Sequence, residues 1–158
     1  MANLKYKKFN WLLSRYQEKI NSELKKFFNK KIKETSKVSF YNARDIRLLR
    51  DYVLRGGKRL RPILVIIGYF LAGGKNKKEI LKTSLAIELI HNFLLIHDDI
   101  VDRDDFRRGK PSLHCLYQKM FKNCHLGISL IMVNGDIANI LKYAILTNSN
   151  SQLEMGLE

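Results

Sequence analysis

Cysteine is scarce in this chain, and the two that occur cannot form a disulfide framework. They are Cys115 and Cys124, a number that suits the reducing cytoplasm, and we expect a cytoplasmic protein. Each adjoins a histidine, His114 or His125, which gives the segment a metal-binding composition. If the segment is one helix, the nine-residue step between the thiols covers about 13.5 Å and half a turn, so they face opposite ways. We therefore expect no zinc site.

Long apolar runs are also missing. The longest, residues 62–72, is about half the length that a bilayer requires, and the basic amino terminus is not followed by the apolar core of a signal peptide. We expect neither a transmembrane segment nor a signal peptide. A set of apolar residues at helical spacing predicts a first helix that packs on the core, with a membrane-surface helix as the alternative. The set is Phe9, Trp11, Leu12, Leu13, Tyr16, Ile20, Leu24, Phe27 and Phe28.

Acidic residues are outnumbered by basic ones, 15 to 29, which gives a formal net charge of +14. Such an excess is common in nucleic-acid-binding proteins. Here, however, the lysines crowd the first forty residues and are spread among Asn and Ile, as on solvated helix faces. We expect no nucleic-acid partner, and note that clustered Lys and Arg also bind small diphosphates.

Period-two alternation, internal repeats and low-complexity tracts are absent, whereas apolar spacing near 3.6 residues recurs along the chain. A chain of 158 residues, 46% of them hydrophobic, has room for one sizeable core. We predict a single all-α domain over residues 1–158. The predicted helices are 5–32, 42–54, 61–72, 76–102, 112–124 and 126–147. The predicted breaks are Thr35-Ser36, Gly56-Gly57, Gly73-Gly74 and Gly109-Lys110-Pro111.

Five aspartates fall between positions 98 and 105, directly after the apolar run 93–96. Asp98 and Asp102 are four residues apart, so on a helix their carboxylates share one face. Mg²⁺ relieves the repulsion between such carboxylates and keeps positions open for phosphate oxygens. Arg107 and Arg108 follow, with guanidinium groups suited to phosphate. The cluster predicts a Mg²⁺ and diphosphate site rather than a merely solvated helix end.

A glycine turn forms the second candidate site. Residues 56–62 read Gly-Gly-Lys-Arg-Leu-Arg-Pro, which places three cations at the start of an apolar helix. Proline suits a first helical turn, and the free backbone N–H groups there favour anions. The alternative is an ordinary helix junction with surface cations, and the nearby aspartate cluster favours the phosphate site.

Three segments together resemble the trans-prenyl diphosphate synthases: the turn at 56–62, Glu88-Leu89-Ile90-His91, and residues 98–111. The similarity extends from about Tyr41 to the end. It implies an all-α bundle of the isoprenoid synthase type, of which this chain is the N-terminal half. It also implies a Mg²⁺-dependent prenyltransferase that condenses an allylic diphosphate with isopentenyl diphosphate. Terpene cyclases share an aspartate-rich helix but lack the glycine turn and the paired arginines.

The resemblance also assigns residues. Those that match the positions binding isopentenyl diphosphate are Lys58, Arg61, His91 and Arg108. For His91 the alternative is a satisfied core histidine, but it lies seven residues before Asp98, two turns below it on the same helical stripe.

The aspartate motif is assigned in the same way. Asp98 and Asp102 match the Mg²⁺ ligands, with Asp99 in the same motif. Arg107 matches the contact to the allylic diphosphate. These four residues are the expected catalytic set.

Phe93, five residues before Asp98, resembles the chain-length residue of short-chain synthases of the archaeal geranylgeranyl type. Helical geometry turns Phe93 about 140° from Asp98 and places Leu94 more nearly below it. The resemblance therefore favours Phe93 as the residue that stops the growing product, whereas the geometry favours Leu94.

The family's second aspartate-rich motif has no counterpart in this sequence. After Asp105 the acidic residues are Asp136, Glu154 and Glu158, and no two have the required spacing. We expect a gene fragment, a degenerate product or one part of a split enzyme, inactive alone. The alternative is a non-catalytic diphosphate-binding or regulatory subunit. Either would form a homodimer, or a heterodimer with a complementary or full-length synthase chain.

Overall fold

The computed structural model describes residues 2–150, which form six helices and one short antiparallel strand pair. The helices are α1 (Ala2–Thr35), α2 (Phe40–Leu54), α3 (Leu60–Leu71), α4 (Lys77–Val101), α5 (Leu113–Phe121) and α6 (Cys124–Asn150). The strands are β1 (Phe106–Arg107) and β2 (Lys110–Pro111). The predicted all-α class is confirmed, and each predicted break falls at the end of a helix or between two helices. Glu154 and Glu158 lie outside the described residues.

Local capping explains two of the helix starts. Ser39 accepts a hydrogen bond from the backbone N–H of Tyr41 and caps α2. Asn76 caps α4 by accepting from the N–H groups of Lys78 and Glu79. Such side-chain caps satisfy backbone donors that have no partner inside the helix.

The strand pair was not predicted. Phe106 pairs with Pro111 and Arg107 with Lys110, and the turn between them consists of Arg108 at φ 52° and Gly109 at φ 73°. Positive φ at both central residues is the geometry of a two-residue hairpin turn. Strands of two residues are too short to show an alternating pattern, so periodicity could not predict them.

The core is built around α4, which packs most extensively on α6 and also on α3 and α1. From α1, Ile20, Leu24 and Phe28 are fully buried, which confirms the prediction that this helix packs on the core. Phe9 and Trp11, nearer its start, are 51% and 60% exposed. The core also includes Leu49, Val53, Ile63, Ile66, Leu89, Ile96, Leu113, Tyr117, Ile131 and Ala138.

The segment with both cysteines is not one helix, so the helical argument against zinc does not apply. It breaks at Lys122, which has a left-handed φ of 50°, and Cys124 begins α6. The thiols nevertheless have separate partners: Cys115 donates to Asp105 (3.2 Å), and Cys124 accepts from Gln118 (3.3 Å). His114 joins Asp105 and Cys115 in a group whose potential ligand atoms lie within 4.8 Å of one another.

Among the described residues, two helices are long and apolar enough to cross a bilayer, Lys77–Val101 and residues 124–147 of α6. This is weak support for a membrane span, since core helices of soluble proteins pass the same test, and it does not overturn the predicted absence of a transmembrane segment. α4 also carries Glu88, Asn92 and Asp99 on its buried side.

Candidate functional site

The turn between α2 and α3 is held from two sides. Gly56 and Gly57 have φ of +107° and +119°, values that favour glycine. Gln17 of α1 donates to the carbonyl of Gly57 at 2.8 Å, and Arg108 donates to the carbonyl of Gly56. A Cβ on Gly57 would lie 2.7 Å from Nη2 of Arg108. The glycine therefore allows the Arg108 guanidinium to lie directly on the turn.

A cavity of about 120 Å³ opens beside this turn. Its lining residues are Gly57, Lys58, Arg59, Leu60, Arg61, Glu88, His91 and Arg108. All four residues that the resemblance assigned to isopentenyl diphosphate are among them: Lys58 from the turn, Arg61 from α3, His91 from α4 and Arg108 from the hairpin. Arg59 and Glu88 also line this cavity without a predicted role, although Glu88 stands one helical turn before His91.

Arg61 and His91 are in direct contact across the cavity. Nη1 of Arg61 lies 3.0 Å from Nε2 of His91. Because a guanidinium can only donate, Nε2 is the acceptor, and we assign the ring proton to Nδ1 of a neutral imidazole. Burial and then the charge of Arg61 lower the pKa of His91 below its usual 6.5. The cation at this point of the cavity is therefore Arg61 at neutral pH.

A second cavity, of about 240 Å³, adjoins the first. Its lining residues are Arg61, Ile87, Ile90, His91, Leu94, Leu95 and Asp98. Arg61 and His91 belong to both cavities, so they stand between the cationic turn and the aspartate end of α4. Leu94 is 50% exposed and lines the wall beside Asp98. Phe93 instead places its ring edge-on to His97, 4.6 Å away.

Asp98 and Asp102 lie one turn apart at the end of α4. The N–H of Asp102 bonds to the carbonyl of Asp98 at 2.8 Å, and both side chains are exposed. Within residues 2–150, no protein cation pairs with either carboxylate. Two exposed, adjacent carboxylates without protein partners fit a hard divalent cation such as Mg²⁺.

Asp99 has a different environment from its neighbours. It is only 2% exposed and faces away from solvent, toward Tyr52 and Arg107. Tyr52 donates to its Oδ2 at 2.8 Å, and Arg107 forms an ion pair with its Oδ1. Burial and the Asp99 charge raise the pKa of Tyr52 well above 10. Arg107 also lies 3.5 Å from Asp104. The structure therefore places Asp99 behind Arg107, as its support.

An all-helical core with a cation-lined cavity next to an aspartate pair is the architecture of the isoprenoid synthases. The sequence pattern of the polyprenyl synthetase family matches residues 44–156. The chain belongs to this family.

Named relatives agree with that assignment. A short chain isoprenyl diphosphate synthase of Methanocaldococcus jannaschii is 43% identical over 100 residues, which make up 63% of this chain and 27% of that protein. A geranylgeranyl diphosphate synthase of Cyanophora paradoxa is 38% identical over 138 residues, or 86% of this chain and 40% of the relative.

Solved structures share the fold. The geranylgeranyl pyrophosphate synthase of Corynebacterium glutamicum, in complex with isoprenyl diphosphate and magnesium, superposes with a TM-score of 0.78 at 29% identity over 87% of this chain and 42% of that one. The geranyltranstransferase of Thermotoga maritima gives 0.66 at 26% identity, over 89% and 47%. The chain thus spans less than half the length of the proteins that it matches.

Proposed function

We propose that this chain contributes the first half of a prenyltransferase site, which condenses an allylic diphosphate with isopentenyl diphosphate to a short-chain product such as geranylgeranyl or farnesyl diphosphate. One observation carries the proposal. The cavity lined by Lys58, Arg61, His91 and Arg108 adjoins the apolar cavity that ends at Asp98. A diphosphate can therefore bind in the first cavity and a hydrocarbon chain in the second, next to it.

The cationic cavity suits the diphosphate of isopentenyl diphosphate. Lys58 supplies a point charge and the two arginines supply planar donors that match phosphate oxygens. Arg61, located in both cavities, orients this substrate toward the aspartate end of α4.

The aspartate end suits the allylic diphosphate. Asp98 and Asp102 would hold Mg²⁺, whose charge stabilises the departing pyrophosphate when the allylic carbon–oxygen bond breaks. Arg107, held by Asp99, adds a fixed positive charge for the same group. A carbon–carbon bond to the isopentenyl unit then forms and a proton is lost. The apolar wall of Ile90, Leu94 and Leu95 keeps water from the allylic carbocation. Leu94, beside Asp98 in this wall, limits the length of the product.

A second candidate function needs only the cationic cavity. Its lining comes entirely from residues 57–108, so diphosphate binding does not require the rest of a catalytic site. A non-catalytic or regulatory subunit that binds a diphosphate would use the same residues. In either case we propose a homodimer, or a heterodimer with a complementary or full-length chain, in the cytoplasm, where the free thiols of Cys115 and Cys124 remain reduced.

Thermal unfolding with Mg²⁺ and pyrophosphate tests the site. We expect the two together to raise Tm more than the sum of their separate effects, because each binds to the folded state and bridges to the other. The double variant Asp98→Asn/Asp102→Asn should lose this synergy. The control Glu18→Gln/Glu34→Gln removes two exposed carboxylates of α1 and should keep it. Synergy that survives in the first variant would place the ions elsewhere.

A product assay separates the two candidate functions. The purified chain is incubated with Mg²⁺, isopentenyl diphosphate and dimethylallyl, geranyl or farnesyl diphosphate, with and without a complementary C-terminal chain. We expect little elongation by the chain alone and recovery with the complement. Failure with the complement, alongside intact pyrophosphate binding, would support the non-catalytic subunit.

A further inference from the structure

Arg59 is a cation of the turn, yet its side chain points into the protein. It forms an ion pair with Glu88 in which the two side chains are 1% and 2% exposed. Nη2 donates to the carbonyl of Val53 at 2.6 Å, and Nε donates to Oδ1 of Asn21 at 2.9 Å. All three guanidinium nitrogens therefore have acceptors. The left-handed φ of Arg59, 52°, gives the turn a shape that glycine adopts most easily.

This network joins four helices at one point. Asn21 belongs to α1, Val53 to the end of α2, Arg59 to the start of α3 and Glu88 to α4. Asn92, one turn further along α4, donates to Oε1 of Glu88 at 3.0 Å. A buried charge pair is retained only when its remaining hydrogen-bonding capacity is met, and these neutral partners meet much of it.

The pair lies at the base of the cationic cavity, among residues proposed to bind diphosphate. Arg59 stands between Lys58 and Arg61 in the chain, and Glu88 is one turn before His91 on α4. We propose that the Arg59–Glu88 pair positions the residues of the diphosphate cavity. The pair holds the turn against α4, so that Arg61 contacts His91. This inference rests on the proposed diphosphate site.

The direction in which Glu88→Gln changes the affinity for an anion distinguishes positioning from simple electrostatics. Glu88 is a carboxylate in the lining of an anion cavity, so by charge alone its removal strengthens anion binding. If Glu88 instead holds Arg59 and the turn in place, Glu88→Gln weakens anion binding although a negative charge is lost.

Isothermal titration with inorganic pyrophosphate measures this. We expect Kd to rise about tenfold in Glu88→Gln and in Arg59→Lys, which keeps the charge but not the planar fork. The control Tyr117→Phe loses a hydrogen bond donated to Asp45 and one accepted from Asn134, outside the cavity, and should keep the wild-type Kd. Tighter or unchanged binding by folded Glu88→Gln overturns the proposal.

The double variant Arg59→Met/Glu88→Met separates position from stability. Without either charge it should unfold at a higher temperature than Arg59→Met or Glu88→Met alone, because neither partner is left buried and unpaired. Its pyrophosphate binding should nevertheless remain weak, since the contacts to Val53 and Asn21 are gone. Wild-type affinity in this variant would show that the pair is structural only.

A ligand-free readout keeps this inference separate from the proposed function. Arg61 lowers the pKa of His91, whereas Glu88 raises it. Loss of the Glu88 charge alone would therefore lower the pKa of His91 further in an NMR titration of Glu88→Gln. Loss of the Arg61 contact would raise it toward 6.5, and this rise is the expected result. If the wild type fails to bind pyrophosphate, the proposed function fails, and this titration still decides the positioning role: a fall overturns it.

Discussion

The phenolic hydroxyl of Tyr52 donates a 2.8 Å hydrogen bond to Oδ2 of Asp99, and both residues are buried. This contact divides the aspartate motif into two kinds of carboxylate. Asp98 and Asp102 are exposed at the end of α4, whereas Asp99 is turned inward and holds Arg107. The motif therefore combines two exposed carboxylates with one buried carboxylate that fixes a guanidinium.

Substitutions in the motif should accordingly have different consequences. Asp99→Asn should lower the free energy of unfolding by about 2 kcal/mol, because Arg107 loses a charged hydrogen-bond partner, and Tyr52→Phe by about 1 to 3 kcal/mol. Asp98→Asn should change stability little but abolish the Tm rise caused by Mg²⁺ with pyrophosphate. Urea denaturation and thermal scans measure the two effects. Equal effects of Asp98→Asn and Asp99→Asn on both quantities would contradict this division.

The two glycines of the turn form a matched pair. Gly56→Ala and Gly57→Ala both force a side chain into positive φ, and each should cost about 1 to 2 kcal/mol of stability. A Cβ at position 56 meets nothing within 4 Å, whereas one at position 57 displaces the Arg108 guanidinium. We expect pyrophosphate binding, measured by calorimetry, to weaken several-fold more in Gly57→Ala. Identical affinities would exclude a binding role for the position of Arg108.

Local periodicity was sufficient to predict the helices and the breaks between them. The helical repeat also placed Leu94 more nearly below Asp98 than Phe93, and the cavity wall has Leu94 beside Asp98. Each of these predictions depends on residues within a few turns of one another, where the geometry of one helix suffices.

The contacts that hold the site together could not be read from local pattern. Arg59 and Glu88 are 29 positions apart, and Tyr52 and Asp99 are 47 apart. Their meeting depends on how α2, α3 and α4 pack. The sequence could show only that a partner is needed. A charged residue on the apolar side of a helix, such as Glu88, requires a partner of opposite charge, but nothing nearby in the chain identifies that partner as Arg59.

The two thiols should differ in reactivity. Burial and the neighbouring carboxylate of Asp105 raise the pKa of Cys115 to about 11, so little thiolate is present at pH 8, whereas Cys124 is exposed. A disulfide reagent should modify Cys124 first. Asp105→Asn should speed the reaction of Cys115, measured in a Cys124→Ser background. An unchanged rate would show that burial alone protects the thiol.

His91 should couple diphosphate binding to protons. Its pKa in the folded protein is below the usual 6.5, so the unfolded state binds the proton more tightly, and the free energy of unfolding falls as the pH drops below about 6.5. A bound pyrophosphate adds negative charge beside the ring and raises the pKa of His91. Binding should therefore take up protons and tighten as the pH falls from 7.5 to 6. Calorimetry in buffers of different ionisation enthalpy counts those protons. The uptake measured with His91→Gln gives the contribution of pyrophosphate itself, which is subtracted from the wild-type value. Equal proton uptake by the wild type and His91→Gln would show that the ring does not face the bound anion.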